Sequence, residues 1–141
     1  MKEDYRSQRR NKLVIGLHLV WATHERRPLI TDDLERVAYH AISAEATRLG
    51  CEVLAIGGMP DHVHMIVTIP TTLTIARLLN QVKGGSSSTI RNHLGTARFF
   101  AWEPGYAAFS LSPDHQSAAI AYVQKQKEHH ANQTTYDDEE I

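Results

Sequence analysis

Apolar residues recur along this chain in two rhythms, and the switches between them mark its elements. Residues 12–23, KLVIGLHLVWAT, set Leu13, Ile15, Leu17, Leu19 and Trp21 at every second position. That period turns them to one face of a buried strand. His24-Glu25-Arg26-Arg27-Pro28 ends the run. From there the spacing becomes helical, with Leu34, Val37, Ala38, Ala41, Ile42 and Leu49 on one stripe. Asp32 with Glu35 three residues later predicts a capping box, and Gly50 predicts the helix end. Residues 51–57 read as a second strand, and Gly58-Met59-Pro60-Asp61 as a turn. Residues 62–69 form a third strand with Val63, Met65, Val67 and Ile69 on its apolar side. A second helix begins near Thr74 with Ile75, Leu78, Leu79 and Val82 on one stripe. Gly84-Gly85 weakens it before Ile90 and Leu94. A fourth strand covers residues 106–111. Ser112 as cap and Pro113 at the first helical position then start a last helix, expected to reach about His130.

The order is β-α-β-β-α-β-α. Its first six elements predict an α+β, ferredoxin-like (RRM-like) fold: a four-stranded antiparallel sheet with two helices on one face, plus a C-terminal helix. At 141 residues, 42% hydrophobic and 22% charged, the chain fits a single domain, 1–141. Residues 1–11 are expected to be a loose basic arm and 131–141 an acidic tail. No apolar run approaches the roughly 18 residues of a membrane span. No apolar stretch follows Met1-Lys2-Glu3-Asp4 to act as a signal peptide. Cys51 has no second cysteine to pair with, which suits a reducing cytoplasm. A fold of this type hosts many activities, so function has to come from particular residues.

The net charge of −1 conceals a segregation. Residues 1–30 carry seven Lys/Arg against three acids, and residues 62–101 carry Arg77, Lys83, Arg91 and Arg98 with no acid. Four of the last five residues are acidic. Basic stretches of this kind can follow a phosphate backbone or simply be solvated. Arg77, Lys83 and Arg91, all on the second helix, are the candidate phosphate contacts, and Trp102, Phe99 and Phe100 the candidate base-stacking residues.

His62-Val63-His64 is the central chemical signal. Residues two apart on a strand share a face, so both imidazoles project together while Val63 and Met65 turn to the core. On the last helix Tyr122 and Gln126 are four residues apart, one turn from each other on one face. Gln126 can give an oxygen to the cation that the imidazoles hold, and Tyr122 can present its phenol to a phosphorus beside it. Two imidazoles and an amide oxygen, with no thiolate, suit Mg²⁺ or Mn²⁺ better than a structural zinc, though histidine keeps zinc open.

At these residues the chain resembles the HUH single-tyrosine transposases of bacterial insertion sequences. Gly58 to His64 is similar to the segment around their metal-binding H-hydrophobic-H motif, and Tyr122 and Gln126 match their catalytic tyrosine and metal-binding glutamine. Val82-Lys83-Gly84-Gly85-Ser86-Ser87 resembles their lysine-glycine-serine segment, and Trp102 with Gly105-Tyr106 the aromatic stretch before the fourth strand. The likeness extends over residues 12–130, with Gly85 a mild departure. It implies metal-dependent cutting and rejoining of single-stranded DNA at hairpin-bearing element ends, through a 5′-phosphotyrosine. It also implies a homodimer in which the tyrosine-bearing helix of one subunit can complete the metal site of the other, or dock on its own sheet. Tyr122-Val123-Gln124-Lys125 also fits the Y-x-x-K pattern of HUH replication initiators and nickases, which are one alternative. A non-catalytic RRM-like nucleic-acid-binding protein is another.

Overall fold

The computed structural model describes residues 14–125. The arm 1–11, the tail 131–141 and Gln126 lie outside the described residues. Four strands, β1 (Gly16–Ala22), β2 (Glu52–Met59), β3 (His62–Thr68) and β4 (Ala107–Leu111), make one sheet in the order β2-β3-β1-β4. Every neighbouring pair is antiparallel, with β1 central between β3 and β4. The first strand is shorter than its pattern predicts. Its register with β3 starts at Gly16 opposite Thr68, and Ile15, beyond that pair, is exposed.

Helices α1 (Asp32–Arg48) and α2 (Ile75–Leu94) cover one face. Leu17, Leu19 and Trp21 of β1 and Val63, Met65 and Val67 of β3 pack there with Leu34, Ala38, Ile42, Leu78, Leu79, Val82 and Ile90. Burying each leucine or isoleucine of this set contributes about 1.5–3 kcal/mol. The expected capping box at Asp32 is not formed. Asp32 is already helical and Thr31 is the N-cap, its hydroxyl donating to the Asp33 carboxylate rather than accepting from the backbone. The other end is as predicted: Gly50 takes φ +92°, Gly50 N–H donates to the Thr47 carbonyl at 3.0 Å and Cys51 N–H to that of Ala46 at 3.1 Å. Those two bonds make a Schellman closure that glycine permits.

In α2, Thr74 caps the first turn by accepting from Arg77 N–H at 3.1 Å. The helix then runs unbroken through Gly84-Gly85, where the sequence predicts a weak point. A methyl group on Gly85 would collide with the Glu45 carboxylate, so this glycine makes room for α1. Glu45 is buried and its carboxylate accepts from Gln81 Nε2 at 2.9 Å.

The last helix also departs from expectation. Ser112 leads into a 3₁₀ turn, Pro113–His115, and its hydroxyl meets the His115 ring instead of capping. Helix α3 (Gln116–Gln124) follows and packs on the opposite face of the sheet, where Val123 is buried with Ala55 and Ile66. No helix among the described residues is long and apolar enough to cross a membrane.

Candidate active site

His62 and His64 leave β3 on the face that carries α3, and both side chains are fully buried. Their ring centroids are 5.1 Å apart, with the rings tilted by 73°. The sheet register holds them: His62 lies between Ala22 and Met59, and His64 between Val20 and Gly57. Backbone pairing on both sides leaves the two rings little freedom to separate.

Each imidazole turns Nδ1 to a protein partner. His62 Nδ1 lies 2.7 Å from Asp61 Oδ1 and 3.3 Å from Arg26 Nη2, and a single ring nitrogen cannot both donate and accept there. The shorter, carboxylate contact decides: Nδ1–H donates to Asp61, and Arg26 instead pairs with Asp61 through Nε at 3.5 Å. The hydrogen bond from His62 holds the Asp61 carboxyl below the usual carboxylate range against an opposing effect of burial, with the nearby positive charges adding to it. His64 Nδ1 lies 2.8 Å from Nε2 of His18 on β1, whose ring also stands near Phe109 of β4. With Nδ1 engaged in this way, Nε2 is the nitrogen each ring could give to a cation, and its partner orients the ring. The donor set therefore fits a divalent cation that takes two imidazoles and further oxygens. Among the described residues no group of three or more His, Cys, Asp or Glu is placed to hold a metal, so further ligands have to come from elsewhere. Gln126, the expected third ligand, lies outside the described residues.

Arg26 is aimed by an unusual stretch of backbone. Glu25 and Arg26 have φ of +53° and +55°, a region that side chains disfavour. Glu25 N–H donates to Glu103 Oε1 at 2.8 Å, and the buried Thr23 hydroxyl lies within hydrogen-bond reach of the carbonyls of Arg27 and Asp61, the Arg27 contact being the shorter.

Tyr122 stands with its ring edge-on to His64, centroids 5.8 Å apart. Val123 anchors this turn of α3, and its carbonyl comes so close to Gly57 that any side chain there would collide with it. Three of the residues singled out in the sequence, His62, His64 and Tyr122, thus converge within one chain. The expected basic residues do not join them. Lys83 Nζ donates to the carbonyls of Glu103 at 2.8 Å and Gly105 at 2.7 Å, clasping the segment before β4. Burial pushes its pKa down, while Glu103 opposes this. Arg77 and Arg91 are exposed on α2, across the sheet from the histidines. Trp102 packs on the buried Phe100 and donates to Ser86 Oγ at 3.0 Å. Phe100 is buried and Trp102 half-buried, whereas Phe99 is 52% exposed. His18 and Arg26 are the participants that the sequence pattern did not single out.

The family model for IS200-like transposases matches residues 12–126, and the chain belongs to that family of HUH single-tyrosine transposases. The ISDra2 transposase TnpA of Deinococcus radiodurans is 22% identical over 116 residues, covering 77% of this chain and 81% of the relative. A crystal structure of a Deinococcus radiodurans R1 protein assigned as a transposase superimposes with a TM-score of 0.67 at 24% identity, covering 89% of this chain and 98% of the other. A REP-associated tyrosine transposase bound to a REP hairpin gives a TM-score of 0.63 at 16% identity, over 92% and 74% of the two chains. Both structures share this fold.

Proposed function

We propose that this transposase cuts and rejoins single-stranded DNA with Tyr122 as nucleophile, at a divalent-cation site built on His62 and His64. The observation that carries the reading is the Tyr122 ring packed against His64 beside His62. The Tyr122 oxygen attacks the scissile phosphorus, a tyrosine–phosphate bond forms, and the bond to the 3′ oxygen breaks. The 3′ oxygen leaves as a hydroxyl and the 5′ end stays on the protein. A 3′-hydroxyl from another strand reverses the step, so the linkage is kept without ATP. A free phenol, with a pKa near ~10, is a poor nucleophile at neutral pH. A bound Mg²⁺ or Mn²⁺ supplies charge neutralisation at the non-bridging phosphate oxygens. His62, His64 and Gln126 are the residues that would hold it, and Asp61 and His18 would fix the imidazole rings.

The relative crystallised with a REP hairpin supports a hairpin-bearing single strand as the DNA partner. The working form is read as a homodimer, since strand exchange needs two ends held together and a two-fold assembly offers two equivalent sites. Incubation with Mn²⁺ and labelled single-stranded DNA from the flanks of its own gene tests the chemistry. Wild type should give a covalent adduct on denaturing electrophoresis. Tyr122→Phe, which removes only a hydroxyl, should give none while keeping its fold and DNA binding. An adduct in the Phe variant would assign the nucleophile elsewhere. Loss of Mn²⁺ affinity in the His62→Ala/His64→Ala variant, read by calorimetry, tests the cation site.

A further inference from the structure

A cleft of about 220 Å³ opens between the segment after β1 and the C-terminal end of α2, lined by Arg27, Pro28, Leu29, Thr31, Leu94, Arg98 and Phe99. Its composition is unusual for a surface hollow. The floor is apolar, Phe99 keeps 52% of its surface exposed, and two guanidinium groups stand at it. Arg27 lies over the Phe99 ring at 5.2 Å from the centroid, and His24 meets that ring edge-on at 5.5 Å. Arg98 reaches Asp33 Oδ2 at 2.9 Å and Thr31 Oγ1 at 3.0 Å. Both members of that ion pair are well exposed, at 41% and 69% of their side chains, so it holds Arg98 only weakly. The cleft is joined to the histidine site by adjacent residues. Arg26 turns to Asp61 and His62, and the next residue, Arg27, turns to Phe99.

We propose that this cleft seats one unpaired base of the DNA strand, stacked on Phe99, with Arg27 and Arg98 meeting the flanking phosphates. An exposed aromatic ring offers a base a flat apolar surface regardless of its identity, and guanidinium groups suit the phosphates on either side. Cleft size and charge both fit this occupant. The proposal rests on the single-stranded DNA reading above.

The test compares a fluorescein-labelled oligothymidylate with a strand of the same length made of abasic residues, by anisotropy. Wild type should prefer the strand that has bases. Phe99→Ala should shrink that preference by roughly 5- to 150-fold and leave affinity for the abasic strand unchanged. Phe99→Trp should keep the preference, and Arg98→Gln should lower the slope of log affinity against log salt by about 0.7. An unchanged preference in Phe99→Ala overturns the proposal, and so does loss of the preference in Phe109→Ala instead. In either case the single-strand reading stands. Failure of the wild type to bind either strand would overturn both.

Discussion

Helices α2 and α3 follow one another along the chain, with the segment 95–115 and its strand β4 between them, yet the sheet holds them in different ways. Over 20 residues α2 sinks Leu78, Leu79, Val82 and Ile90 completely into the core. Over nine residues α3 buries Val123 alone and keeps Ala119, Ile120 and Tyr122 half-covered. The helix with the deeper core face lies across the sheet from the histidines, and the helix that brings the tyrosine buries one side chain fully and packs Ala119, Ile120 and Tyr122 around it. On the proposed reading, the shallower dock belongs to the helix that would present the nucleophile.

That contrast can be broken by substitution. Leu79→Ala removes a fully buried side chain from α2 and should cost about 2–5 kcal/mol of global stability, read by urea unfolding. Gly57→Ala places a methyl group against the Val123 carbonyl and should cost about 1–3 kcal/mol in the docking of α3. Hydrogen exchange should rise across α3, and adduct formation should fall while the core amides stay protected. A uniform rise over the whole sheet would show that α3 is part of the core after all. The smallest effect sharpens the account of α2. A side chain at Gly84 meets nothing within 4 Å, so Gly84→Ala should stabilise the helix by about 0.5–1 kcal/mol. Gly85→Ala should give no such gain, because Glu45 occupies the space. Equal gains at the two glycines, measured by thermal melts, would remove the packing role assigned to Gly85.

Much of this architecture was legible because each element carries its own period. Leu17, Leu19 and Trp21 announce a strand, Leu78, Leu79 and Val82 a helix, and the His62/His64 spacing alone puts two rings on one face. Contacts that depend on register were not legible. His18 meets His64 across 46 positions of sequence, and only the alignment of β1 with β3 brings them together. The Asp32 capping box failed because the helix starts one residue earlier: Thr31 takes the cap position and its carbonyl accepts from the N–H groups of Leu34 and Glu35. Lys83 looked like a free cation because nothing in the sequence shows the Glu103 and Gly105 carbonyls folding back over it. Its half-buried ammonium makes it a clasp on the segment that also carries Glu103 to Glu25.

The histidines sit on β3, an inner strand bonded along both edges. Such a strand is a fixed support: its amides should be among the last to exchange, and the two imidazoles it carries should keep their relative placement. Any stroke in the catalytic cycle then falls to the parts that lean on it, α3 with its 3₁₀ lead-in foremost. If the proposed chemistry holds, its moving part would then be the helix seated against Gly57 rather than the imidazoles.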